Sequence, residues 1–156
     1  SPPKGVHFIP VETAEDMLHA VGEQARFSTV LIMSAAVSDF KPPEKAKEKI
    51  EKPEELHLTL VRTPDIISEI GKKKSKPFII GFAAETGIRI EKARKKLKEK
   101  NMDMIIFNNV TEAGSGFDVE TNKVIILDKK KELNLPLLSK DAVADAILDR
   151  MIEIKT

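Results

Sequence analysis

Read as apolar and polar positions alone, the chain alternates between two periods. Val6 to Val11 reads as a short strand, after which Thr13 opens a helix with Asp16 three residues on. That is an imperfect capping box, since the usual partner is Glu or Gln. Met17, Leu18, Val21 and Ala25 give this helix its apolar side. Residues 29–36 (TVLIMSAA) form a continuous apolar run of strand length, the pattern of a strand covered on both faces. Leu56, Leu58 and Leu60 alternate with His57, Thr59 and Val61, which predicts a strand with one face less buried.

Thr63 then predicts a helix cap, with Pro64 at the first helical position and Asp65 and Glu69 near the positive end. Residues 77–85 (PFIIGFAAE) read as a central strand, 88–100 as a helix and 103–108 (DMIIFN) as another strand. Residues 109–121, which contain GSGF, lack periodicity and read as a loop. Residues 123–128 (KVIILD) and 132–138 (ELNLPLL) predict a β-hairpin around Lys129 and Lys130, and Ser139 caps a last helix over 140–154. Strand and helix alternate throughout, which predicts an α/β fold: a doubly wound, mostly parallel, Rossmann-like sheet with a C-terminal β-hairpin. The hairpin strands are apolar, and an uncovered edge of that kind pairs with something, either a second copy of the chain or the last helix.

Composition narrows the possibilities. The 156 residues read as one domain, 1–156, with no internal repeat. Cysteine is absent, which excludes disulfides, a thiolate metal site and a cysteine nucleophile, and fits a reducing, cytoplasmic compartment. No apolar segment approaches the roughly 18 residues of a membrane span. Lys plus Arg is 26 against 25 for Asp plus Glu, so no broad basic field speaks for nucleic acid. Any anion site has to be local.

Ligands of open α/β sheets bind beyond the carboxyl ends of the strands. Three such ends carry unusual residues: 34–40 (SAAVSDF), 81–86 (GFAAET) and 107–109 (FNN). Small residues there let a ligand reach backbone amides and carbonyls. Phe40 or Phe82 would stack on a base, and Asp39 would accept from its amino group or from a ribose hydroxyl. The plain alternative is that Ala and Gly serve packing and each Phe is core. Lysines recur on the linker at Lys45, Lys47, Lys49 and Lys52, and at helical spacing at Lys92, Lys96 and Lys100. Either set is a solvated surface or a partner for polyphosphate. The scattered glycines make neither GxGxxG nor GxxxxGK[ST], and His7, His19 and His57 have no metal-ligand spacing, so a metal held by side chains alone is not expected.

The ordered set VETAEDM, SAAVSDFKP, EKIEK, TPDII, GFAAET, ARKKLKEKNMD, NN and TNKVIIL resembles phosphopantothenoylcysteine synthetase, the phosphopantothenate-cysteine ligase of coenzyme A biosynthesis, over nearly the whole length. The resemblance implies that CTP activates 4'-phosphopantothenate as an acyl cytidylate, with magnesium riding on the triphosphate, and that cysteine then displaces CMP. It further implies that a decarboxylase is sometimes fused or associated, while a homodimer is expected from the apolar hairpin edge described above. Matched by motif, Met33, Ser34, Ala35, Asp39, Pro64, Asp65, Ile66, Ile67, Phe82, Lys96 and Lys100 resemble CTP-contacting positions. Lys49 resembles both a CTP contact and the catalytic flap lysine, the first of the family's K-x-K-K, although Glu51 stands where a lysine is usual. Family members carry an upstream strand and helix with a Gly- and Ser-rich phosphate loop and an Asn for turning over the acyl intermediate, so this chain is expected to be N-terminally truncated. Other readings are a noncatalytic nucleotide-responsive or dimerisation module, and a dinucleotide-dependent oxidoreductase, which the absent glycine fingerprint disfavours.

Overall fold

The computed structural model describes residues 2–44, 46, 48–50, 54–85, 90–109 and 119–156. Lys45, Lys47, Glu51, Lys52 and the GSGF stretch, on which several sequence expectations fall, lie outside the described residues.

The first helix, α1 (Ala14–Gln24), starts where the sequence predicts. Thr13 Oγ1 accepts from the Asp16 N–H and the Asp16 carboxylate accepts from the Thr13 N–H, so Asp completes the reciprocal box. A five-stranded sheet follows in the spatial order β1-β4-β5-β7-β8. Its strands are β1 (Val30–Met33), β4 (Phe78–Glu85), β5 (Met104–Asn109), β7 (Val124–Asp128) and β8 (Glu132–Asn134). The first three pair in parallel, and β7 and β8 add an antiparallel hairpin. The expected α/β class, parallel core and terminal hairpin are all borne out.

Between β1 and β4 the chain forms a two-stranded ribbon, β2 (Phe40–Lys41) with β3 (Val61–Arg62), and then α2 (Ile66–Gly71). Helix α3 (Ile90–Glu99) links β4 to β5, β6 (Thr121–Asn122) pairs with β9 (Leu138–Ser139), and α4 (Lys140–Lys155) closes the chain. Alternation along the strands feeds two cores. Ile79, Ala83, Ile105 and Phe107 meet Ile66 and Ile70 of α2 and Ala93 and Leu97 of α3, with Met17, Leu18 and Val21 of α1 packed alongside. On the other face Ile80, Met104, Ile106 and Ile126 meet Val143 and Ile147 of α4. Both faces are covered over the central strands β4 and β5, but the edge strand β1, expected to be covered on both faces, leaves Ile32 46% exposed.

Four expectations need correction. Residues 6–11 form no strand, and Val6, Phe8 and Ile9 are exposed. Of residues 56–61 only Val61 joins a strand, while Leu56, Leu58 and Leu60 lie exposed without a ladder. The cap of α2 is Asp65, not Thr63, so Pro64 precedes the helix; Thr63 is instead bonded through its backbone N–H to Asp39 and through its hydroxyl to the Ser38 carbonyl. The second hairpin strand stops at Asn134, two residues before Pro136, which has no N–H to donate to a ladder. The chain then turns to pair Ser139 with Thr121, the last residue of the stretch expected to be loop, and Leu138 with Asn122.

Candidate functional site

The parallel strands β1, β4 and β5 end on one rim, and a cavity of about 760 Å³ opens there. That size falls within the roughly 300–1,000 Å³ of small-molecule sites. Strand β1 stops at Met33; the backbone of residues 34–37 lies outside any ladder, and these residues line the hollow. Small side chains at Ser34, Ala35 and Ala36 leave that backbone uncovered. Ser38 and Asp39 follow, held against Thr63 by the two bonds described above.

The opposite wall comes from helices. Gly71 ends α2 in such close contact with α3 that a Cβ there would run into the carbonyl oxygen of Lys100. Asn101, in the left-handed region at φ 49°, donates its Nδ2 to the Gly71 carbonyl at 2.8 Å and locks the junction. Lys100 is thereby held beside Asp65, with its Nζ 2.9 Å from Asp65 Oδ2. Asp65 also caps α2 by accepting from the Ser68 N–H at 3.1 Å. Burial opposes ionisation of Asp65, but Lys100 and the Ser68 N–H outweigh it and hold the carboxyl below its ordinary value.

The cavity bends over the strand tips and touches both faces of the sheet. Met33, Ile66, Ile67, Ala83, Lys96 and Lys100 line the side of α2 and α3; Phe82, Ala84, Ile106, Asn108, Val124, Lys140 and Val143 line the side of α4. Every expected CTP-contacting residue except Lys49 lies on this wall: Met33, Ser34, Ala35, Asp39, Pro64, Asp65, Ile66, Ile67, Phe82, Lys96 and Lys100. Lys49 is exposed and does not line it. The lysine stripe of α3 divides: Lys92 is exposed and faces elsewhere, whereas Lys96 and Lys100 are half-buried in the cavity wall. Phe82 and Phe40 are 41% and 51% exposed, so neither is a core residue.

Three charged or amide residues of the wall were not expected from sequence, namely Arg62, Asn122 and Lys140. A fourth, Asn108, belongs to a strand end already singled out, but its state was not foreseeable. Its Oδ1 is buried and accepts no hydrogen bond among the described residues. A buried acceptor left open in a cavity wall is costly unless a ligand or water donates to it. The arrangement therefore offers stacking surface, exposed backbone, one orphaned acceptor, one rim carboxylate and several cations. Those are the contacts that a nucleotide or another phosphorylated molecule requires. Among the described residues the carboxylates on the wall are Asp39 and Asp65, and Asp65 is committed to Lys100 and the cap, so a hard divalent cation there would need oxygen ligands from a phosphate.

The family model described as DNA/pantothenate metabolism flavoprotein C-terminal domain matches residues 1–154. The coenzyme A biosynthesis bifunctional protein CoaBC of Bacillus subtilis is 43% identical over 154 residues, covering 96% of this chain and 37% of that protein. Its counterpart from Vibrio cholerae is 39% identical over 150 residues, covering 94% and 38%. The crystal structure of the C-terminal domain of a coenzyme A biosynthesis bifunctional protein CoaBC superposes with a TM-score of 0.77 at 39% identity, over 99% of this chain and 70% of that one. This chain thus spans less than two fifths of the length of these curated relatives.

Proposed function

The chain belongs to the DNA/pantothenate metabolism flavoprotein C-terminal domain family, and from that premise we propose that it is the nucleotide-binding portion of a phosphopantothenate-cysteine ligase of coenzyme A synthesis. In this reaction the carboxylate of 4'-phosphopantothenate attacks the α-phosphorus of CTP, pyrophosphate leaves, and an acyl cytidylate forms. The amine of cysteine then attacks the acyl carbon, an amide bond forms and CMP departs. A free carboxylate is a poor electrophile, so the protein's contribution is to align reactants and offset developing charge.

The observation that carries this reading is the single cavity at the carboxyl ends of β1, β4 and β5, shared by Asp39, Phe82 and Lys96. Asp39 would accept from the base amino group or a ribose hydroxyl, and Phe82 would stack on the ring. Backbone groups from Met33 to Ala35 and the turn from Pro64 to Ile67 would follow the nucleoside edge. Asn108 Oδ1 would receive a ligand N–H or O–H in exchange for the water it loses on burial. Lys96 and Lys100 would meet the triphosphate as point charges. Lys49, on the linker between β2 and β3, would reach the reacting centre when that linker folds over the ligand. Magnesium bound to the phosphate oxygens supplies further charge neutralisation.

Calorimetric titration of the complete protein with CTP and with ATP, in the presence of magnesium, tests the reading. CTP should bind, and Asp39→Asn and Lys96→Ala should each weaken it about tenfold or more. Silence towards every nucleotide would favour a noncatalytic module instead.

A further inference from the structure

The ribbon of β2 and β3 carries a side chain that the ligase reading leaves unused. Its register sets Phe40 opposite Arg62 and Lys41 opposite Val61. Directly opposed residues of an antiparallel pair project from the same side, so Phe40 and Arg62 share one side of the ribbon and Lys41 and Val61 the other. The second side is anchored, because Lys41 Nζ pairs with the Glu15 carboxylate of α1. The first side is turned to the cavity, which both Phe40 and Arg62 line. Immediately after Arg62, the Thr63 N–H donates to the Asp39 carbonyl at 3.0 Å and the Thr63 hydroxyl to that of Ser38. The backbone at Arg62 is thus held by its pairing with β2 and by the residue that follows it.

The guanidinium itself has no protein partner among the described residues. Lys100 on the same wall is matched by Asp65, and elsewhere Arg94 is matched by Glu132 and Arg150 by Asp128 and Glu153. An arginine carries five donors, no acceptor and a permanent charge, and its planar fork suits two oxygens of one phosphate. Resting on the ligase reading, we propose that Arg62 is a substrate-binding residue that grips a phosphoryl group from the ribbon side of the cavity, facing the lysines contributed by α3. The reaction brings two sources of that group into the site, the nucleotide's polyphosphate and the phosphate ester of the acid. Because β2 and β3 are also the two ends of the linker that bears Lys49, a phosphate held by Arg62 fixes the linker's base.

Arg62→Gln and Arg62→Lys, made in the complete protein beside Asp39→Asn, separate the possibilities. Each would be titrated with CTP plus magnesium, with CMP and with 4'-phosphopantothenate, and each thermal midpoint recorded. Arg62→Gln should weaken a phosphate ligand about ten- to a hundredfold, with Arg62→Lys recovering part and the midpoint unmoved. Loss towards CTP with CMP spared assigns the contact to the outer phosphates; loss towards the acid alone assigns it to the ester. In steady-state assays the matching KM should rise with kcat retained. Unchanged binding of all three ligands by Arg62→Gln, while Asp39→Asn still loses CTP, overturns the assignment and leaves the ligase reading intact. Absence of CTP binding in the unmutated protein removes both.

Discussion

Lys100 Nζ lies 2.9 Å from Asp65 Oδ2, so the cation that follows α3 is tied to the residue that begins α2. One carboxylate does two jobs: it caps a helix and aims a lysine at the cavity. Asp65→Ala should lower stability by about 1 kcal/mol through loss of the cap. Asp65→Asn keeps an acceptor for the Ser68 N–H and should lose less than half of that. Urea denaturation of the two variants measures the difference.

Gly71, the last residue of α2, packs against the backbone just after α3, and the carbonyl of Lys100 occupies the space a side chain would need. Gly71→Ala should therefore destabilise by about 1–3 kcal/mol, the range for overpacking. Because the obstacle is backbone at Lys100, the same variant should also weaken CTP binding, which calorimetry would report.

The hairpin turn is fastened to α4 by Asp128, only 3% exposed. Its Oδ1 accepts from the N–H groups of Lys130 and Lys131 at 2.7 and 2.9 Å, and its Oδ2 from Arg150 Nε and Nη2 at 2.9 and 2.7 Å. Burial pushes its pKa up, but the Lys130 N–H, Arg150 and the Lys131 N–H together hold it below the ordinary value. A folded pKa below the unfolded one contributes stability that is complete above about pH 4 and is lost as pH falls through the folded value. Asp128→Asn should cost about 2 kcal/mol or more at neutral pH. Its gap from the unmodified protein should close as unfolding is measured from about pH 6 down to about pH 3.

Lys49 is exposed and outside the cavity wall, so its proposed role depends on movement of the linker. Lys49→Gln should reduce turnover by about a hundredfold or more while loosening CTP far less. A rapid-quench assay of acyl transfer beside a calorimetric titration separates the two. Equal rates for both proteins would remove the lysine from the mechanism.

What the sequence made legible was mostly local or periodic. Thr13 and Ser139 are recognisable caps because each bonds a backbone N–H three residues on, within its own segment. The apolar run around Phe78 marks a buried strand because both faces of the sheet are covered there, whereas the run around Val30 forms an edge strand whose Ile32 is exposed. Thr63 and Asp65 are both cap-forming types, and only the pairing of Thr63 with Ser38 and Asp39, distant in sequence, decides between them. The alternation of Leu56, Leu58 and Leu60 implied a strand, yet no described strand lies alongside to complete a ladder. The rim was readable as three unusual strand ends. The burial of Asn108 Oδ1 and the aim of Arg62 were not, since both depend on how separate segments meet.

The contact of Gly71 with Lys100 has one more result. The end of α2 meets the backbone just after α3 directly, and the Asn101 side chain beside it is tied to the Gly71 carbonyl, so there is little slack at that point. A pull on the lysine by a bound anion is passed directly to the start of α2 and the turn before it, so that side of the cavity answers as one rigid jaw rather than as two independent walls.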